Sequence, residues 1–238
     1  MKEILMARQW PTYVVCGLIV QMLAGCSDEP ASNNAAAPTV REERRAASNA
    51  DAKLILAFGD SLYAGYGVAQ NESFPHELEK TLRAKGGAVE VRNAGVSGET
   101  TQGGLQRLAF TLDGLPRKPD LVLLGLGGND MLRGLDPAES EKNLRAMLDI
   151  LAERKLPVVL TGMLAAPNMG EAYAARFNAI YPALARDYRV PLYPFFLDGV
   201  IGDPKYMQPD SIHPNPAGVD VIVGKVAPLV LDNLASPK

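Results

Sequence analysis

Residues 53–238 predict one three-layer α/β domain, doubly wound around a parallel sheet of about five strands. Two observations carry this. Short apolar runs rich in branched residues alternate with longer stretches of helical period, and the runs are apolar nearly throughout rather than at every second position. Strands of that kind are buried on both faces, the condition of a parallel sheet with helices above and below. Composition agrees. With 47% hydrophobic and 21% charged residues, the 238-residue chain can bury one sizeable core, and no fixed repeat runs along it.

Each element follows in order. The first strand, 54–58 (LILAF), stops at Gly59-Asp60-Ser61-Leu62, and a helix is expected over 74–85. A second strand at 88–91 leads into RNAGVSGET and a helix over 101–112. The third, 121–126 (LVLLGL), runs into Gly127-Gly128-Asn129-Asp130. The next helix has the best start signal of all. Asp136-Pro137-Ala138-Glu139 reads as a capping box with proline at the first helical position, and Leu144, Met147, Leu148 and Leu151 then share one face. A fourth strand at 157–161, a helix over 171–188, a fifth strand at 190–193 and a closing helix over 216–234 complete the pattern.

The chain before residue 53 reads as an export and anchoring segment. Lys2 and Arg8 precede the apolar run Val14 to Ala24, far short of the roughly 20 residues a membrane-spanning helix needs. Residues 1–25 therefore read as a secretory signal peptide. Their end, Leu23-Ala24-Gly25-Cys26, resembles the bacterial lipobox, whose cysteine is lipidated and becomes the first mature residue. Glu3 departs from the purely basic leader of that pattern. The alternative is an ordinary signal peptide that leaves Cys26 as a free thiol. Residues 26–52 would be the lipidated cysteine and a flexible tether, since Ala, Ser, Asn and Pro with scattered charge cannot bury enough apolar surface to fold. The expected location is the cell envelope of a bacterium, lipid-anchored and facing the periplasm, or else soluble in the periplasm.

Composition also excludes classes. A net charge of −3 without a basic cluster argues against nucleic acid as a partner. Cys16 and Cys26 are the only cysteines, so there is neither a disulfide framework nor a cysteine-rich metal site. The two histidines, His76 and His213, stand too far apart in sequence to suggest a zinc cluster, and no cofactor is implied.

In doubly wound sheets ligands bind beyond the carboxyl ends of the strands. Three glycine-bearing polar turns converge there, carrying Ser61, Gly95 and Asn129. A serine delivered by a buried strand either caps a helix or is held out as a nucleophile, and a nucleophile needs a base. His76 falls in the first turn of an amphipathic helix beside Pro75 and reads as a surface residue. His213 follows Asp210 by three residues, so on a helical turn one carboxylate can hold the imidazole in a single tautomer. Alone, Asp-x-x-His reads as a cap and a surface histidine. Together with Ser61 it gives nucleophile, base and orienter by role.

FGDSL, NAGVSGET, GGND and DSIHPN, in that order over residues 54 to about 218, resemble the four blocks of the SGNH (GDSL) hydrolase superfamily. GVSGETTQGGL, GGNDMLRGL and the YPALA…VPLYPFF region are similar to its extracytoplasmic bacterial members described as multifunctional acyl-CoA thioesterase, lysophospholipase and arylesterase. The resemblance implies a flavodoxin-like sheet and a serine esterase that cleaves carboxylic esters or thioesters through an acyl-enzyme on Ser61. His213 would take the proton and Asp210 would stabilise the imidazolium. The backbone N–H groups of Ser61 and Gly95 and the side-chain amide of Asn129 would form the oxyanion hole, and Asp60 would hold the turn. Tyr63 stands two residues after Ser61, where the nucleophile elbow of α/β-hydrolases has glycine, so that motif is absent. Residues 163–173 and 195–210, mixing apolar residues with glycine and proline, are expected to border an acyl site for a small-molecule ester or lipid. Two other classes stay open: an O-acetyl-carbohydrate deacetylase or acetyltransferase on the same residues, and a non-catalytic envelope lipoprotein, against which every expected position is filled.

Overall fold

The computed structural model describes residues 52–235. The signal peptide read at 1–25, Cys26 and the tether up to residue 51 lie outside the described residues. Five strands, β1 (Lys53–Gly59), β2 (Val89–Gly95), β3 (Leu121–Gly125), β4 (Val158–Thr161) and β5 (Leu192–Tyr193), form one parallel sheet in the order β2-β1-β3-β4-β5. The helices are α1 (Ser61–Ala64), α2 (Phe74–Ala84), α3 (Thr101–Asp113), α4 (Gly128–Leu132), α5 (Pro137–Glu153), α6 (Glu171–Tyr188) and α7 (Pro216–Ala235). Helices α2 and α7 pack together on one side of the sheet, while α5 packs against both α3 and α6 on the other. This is the doubly wound arrangement expected.

Burial sets which strands show as apolar runs in the sequence. In the inner strands β1, β3 and β4, every residue except Lys53 is buried. The outer strand β2 keeps pairing beyond the apolar run, with Leu56 to Gly59 of β1 opposite Arg92 to Gly95. Its extension past residue 91 is an edge strand's privilege, since Arg92 and Asn93 face water and need no apolar neighbour. Helix α5 buries Leu144, Met147, Leu148 and Leu151, as their spacing requires. Its cap is only half the expected box. Asp136 accepts from the Ala138 N–H at 3.1 Å, but Glu139 turns away to pair with Lys142 at 3.3 Å.

Strand order reverses between β1 and its two neighbours. The crossovers to β2 and β3 leave on opposite faces, and a crevice opens at the carboxyl ends of the strands. The polar turns after β1, β2 and β3 all end there.

Candidate active site

β1 delivers Ser61, and a set of close contacts fixes how. Asp60 caps α1, its Oδ1 accepting the Leu62 N–H at 3.0 Å. One turn on, Tyr63 is 1% exposed, packs against Phe74 and Phe196, and shares a 2.8 Å hydrogen bond with Thr161 at the end of β4. That ring lies across the ends of β1 and β3. A Cβ at Gly59 or Gly125 would come within 2.5 or 2.6 Å of it, so both positions must be glycine. The FGDSLY stretch thus holds Ser61, 8% exposed, at the floor of the crevice.

His213 reaches it from the loop before α7. Asp210 Oδ2 lies 2.6 Å from His213 Nδ1, and Nε2 lies 2.8 Å from Ser61 Oγ. An ionised carboxylate only accepts, so Nδ1 carries the proton, Nε2 offers its lone pair, and the serine hydroxyl donates. Burial pushes the Asp210 carboxyl up, but hydrogen bonds from the His213 N–H, the His213 ring and the Ile212 N–H outweigh it and hold it at about 2. The loop is fastened by Gln208, whose Nε2 donates to the carbonyls of Tyr66 and Pro214 at 2.7 and 3.0 Å. Tyr66 lies against the imidazole, ring centroids 4.5 Å apart. His76 is exposed on α2 and takes no part.

A cavity of about 450 Å³ opens at Ser61 and His213, with Leu62, Met131, Leu132, Met163, Leu197 and Ile201 among its apolar walls. Met163 and Ala166 come from the expected segment after β4, and Leu197 and Ile201 from the one before His213. Asn129, at the start of α4, lines the cavity too. Asp130 ties α4 down: it accepts the Thr101 N–H at 2.8 Å, the Thr101 hydroxyl at 2.6 Å and the Ser140 hydroxyl at 3.1 Å.

A family model for the GDSL-like lipase/acylhydrolase family matches residues 57–221. The Vibrio mimicus arylesterase is 41% identical over 189 residues, covering 79% of this chain and 93% of that protein. Thioesterase 1/protease 1/lysophospholipase L1 of Escherichia coli K12 is 42% identical over 189 residues, covering 77% and 87%. Among solved structures, AlinE4, an SGNH-hydrolase family esterase, superposes with a TM-score of 0.66 at 48% identity, covering 78% of this chain and 98% of that one. This chain belongs to the GDSL-like lipase/acylhydrolase family. It is an SGNH-type esterase, and its substrates are small-molecule esters.

Within this SGNH frame the structure brings Ser61, Asp210, His213 and Asn129 together, but not Gly95. Gly95 is the last residue of β2, and its N–H is donated to Asn93 Oδ1 at 2.9 Å. It is glycine for another reason. A Cβ there would sit 2.2 Å from the Ala64 nitrogen, so Gly95 lets α1 rest on β2. Gly98, three residues on, lines the cavity in a left-handed conformation (φ +78°), and Arg133 donates to its carbonyl at 2.6 Å. Among the described residues the N–H groups of Ser61 and Gly98 have no acceptor. The signal for Gly98 was the second glycine of the GVSGE stretch. Tyr66 carried no comparable signal.

Arg107 was missed as well. Its guanidinium donates to the carbonyls of Gly59 at 3.2 Å and Ala94 at 2.8 Å, pairs with Glu99, and stacks on Phe58 at 3.9 Å. It therefore ties the ends of β1 and β2 to the loop that carries Gly98. Among the described residues no group of three or more His, Cys, Asp or Glu side chains is placed to hold a metal, and no helix is long and apolar enough to cross a membrane.

Proposed function

We propose that this SGNH esterase cleaves carboxylic esters and thioesters through an acyl-enzyme on Ser61. As Ser61 Oγ bonds to the substrate carbonyl carbon, its proton passes to His213 Nε2 and the carbonyl electron pair moves to oxygen. Asp210, held ionised, stabilises the imidazolium through Nδ1–H. Collapse of the tetrahedral intermediate expels the alkoxide or thiolate, which takes the Nε2 proton. Water, deprotonated by the same nitrogen, then releases the acid and restores Ser61. The oxyanion accepts from the N–H groups of Ser61 and Gly98 and from Asn129 Nδ2, with Gly98 in the place first given to Gly95. The observation that carries this reading is the unbroken hydrogen-bonded line from Asp210 through His213 to Ser61 at the mouth of an apolar cavity. Ser61→Ala should abolish p-nitrophenyl ester hydrolysis without lowering the melting temperature. Wild-type-like turnover in that variant would refute it.

Apolar walls favour fatty acyl and aryl esters over sugar acetates, and the exposed side chains Tyr66, Leu132, Ile201 and Ile212 continue the greasy surface out to the rim. The named activities of the relatives, arylesterase and thioesterase/lysophospholipase, point the same way. A deacetylase or a non-catalytic lipoprotein is not favoured. Residues 1–25 act in this reading as a lipoprotein signal peptide, Cys26 as the lipid anchor and residues 26–52 as the tether, so that the domain over 53–238 faces the periplasm and meets membrane-derived lipids. A lipobox cysteine carries more than one chain, which durable attachment takes. Cys26→Ser should move the protein from the membrane fraction to the soluble periplasm. If wild type is already soluble, Cys26 is not an anchor.

A further inference from the structure

Asp60 is a buried carboxyl that the proposed mechanism leaves without a chemical task. It is 3% exposed, and its Oδ1 is occupied by the α1 cap, which accounts for only half the group. Oδ2 points across the cavity floor toward α4, where Asn129 Nδ2 lies 3.5 Å away. The approach is made possible by the second glycine of Gly127-Gly128-Asn129-Asp130, because a Cβ at Gly128 would sit 3.3 Å from Asp60 Oδ2. Among the described residues Asp60 is the only hydrogen-bond partner of the Asn129 side chain.

Chemistry gives that pairing a consequence. An amide can turn over, exchanging Oδ1 and Nδ2 at almost no steric cost, so its orientation is set by what faces it. In an oxyanion hole the two orientations are opposites: one offers an N–H to the developing charge, the other a repelling oxygen. We infer that Asp60 is a positioning residue for Asn129, its carboxylate accepting one amide hydrogen and rejecting Oδ1, so that the second Nδ2 hydrogen faces the oxyanion. The inference rests on the proposed esterase mechanism and deepens it. Asp60 touches no reacting atom. It acts through Asn129, and pairing during turnover shortens an apo contact that stands at the limit of hydrogen-bond length.

The test separates orientation from capping, because Asn caps a helix as well as Asp does. In Asp60→Asn the side-chain oxygen keeps the Leu62 N–H, which leaves an NH₂ facing Asn129. That NH₂ draws Asn129 Oδ1 toward it and turns the oxyanion donor away. kcat and KM for a p-nitrophenyl acyl ester would be measured at pH 8, where Asp60 is ionised, in wild type, D60N, D60A, N129A, S61A and the D60N/N129A double variant, with melting curves for each. D60N should lose about 10²–10³-fold in kcat with little change in KM, the size of a lost oxyanion donor. D60A, which leaves the Asn129 amide unbiased rather than reversed, should lose no more kcat than D60N, and the double variant should be no slower than N129A. A D60N enzyme within about twofold of wild type, or losses that multiply in the double variant, would overturn the inference, since independent sites combine additively in free energy. Should D60N fold poorly, D60A against D60A/N129A poses the same question. S61A keeps the two levels apart: turnover there overturns the serine mechanism, whereas an active D60N beside a dead S61A overturns this inference alone.

Discussion

The same Asp60→Asn exchange that should slow the enzyme should also make it more stable above neutral pH. Burial pushes the Asp60 carboxyl up, with the charges of Glu99 and Asp130 adding to the rise and the Leu62 N–H opposing it, so that it titrates at about 7 against an ordinary 3.8. Because the folded value lies above the unfolded one, the folded chain holds this proton more tightly. The stability this confers is complete below pH 3.8 and is lost as pH rises through about 7. The difference, 7 − 3.8, is about 3 units, worth about 4 kcal/mol at 1.36 kcal/mol per unit. The substituted amide never ionises, and the value of about 7 already includes the help that the charged cap receives from the Leu62 N–H. At pH 8 the variant should therefore gain about 4 kcal/mol, or roughly 8–16 °C in a domain of this size. Melting curves of both proteins from pH 4 to 9 test this, and their difference removes every other titrating group. The gap should be near zero at pH 4 and widen through pH 7. A difference that stays flat or narrows would refute the claim that folding carries the cost of a buried carboxylate.

Asp210, held at about 2, stays the charged partner of the His213 ring throughout the working pH range. His213→Ala should be inactive and His76→Ala, on the exposed side of α2, close to wild type in an ester assay. The two glycines of the block after β2 should separate cleanly. Gly95→Ala forces a Cβ against the Ala64 backbone and should cost about 1–3 kcal/mol of stability or more. Gly98→Ala meets only ordinary contact, Arg133 at 3.6 Å, so it should fold with about 1–2 kcal/mol of left-handed strain, and kcat should fall only as far as relief of that strain turns the retained N–H away from the cavity. Melting temperature and kcat, measured on both, check the pair.

How much of this was legible in the sequence follows burial. β1, β3 and β4 are apolar because both their faces are covered, and their runs could be read directly. The ends of β2 and β5 could not, since edge residues such as Arg92 and Asn93 owe their strand geometry to a neighbour rather than to their own side chains. The four- and five-residue helices α1 and α4 carry no periodicity to detect, yet they hold Ser61 and Asn129. Ser61, Asp210 and His213 could be named because chemistry restricts the choice of base to two histidines. Gly95 and Gly98 look alike in sequence. What tells them apart is where each N–H points, which depends on Asn93, Ala64 and Arg133 contacts that no spacing encodes. Arg107 was invisible for a similar reason, since it spans residues 48 and 13 positions away, at Gly59 and Ala94.

The central claim is that acyl groups pass through the Ser61 oxygen. The most direct measurement mixes enzyme with excess p-nitrophenyl acyl ester, quenches in acid within the first turnover, and locates the added acyl mass by peptide fragmentation. One acyl group per chain is predicted on the peptide carrying Ser61, none in Ser61→Ala, and a burst of p-nitrophenol matching the labelled fraction. An adduct on another residue, or full turnover with Ser61 never labelled in wild type or in an enzyme slowed at Asn129, would contradict it.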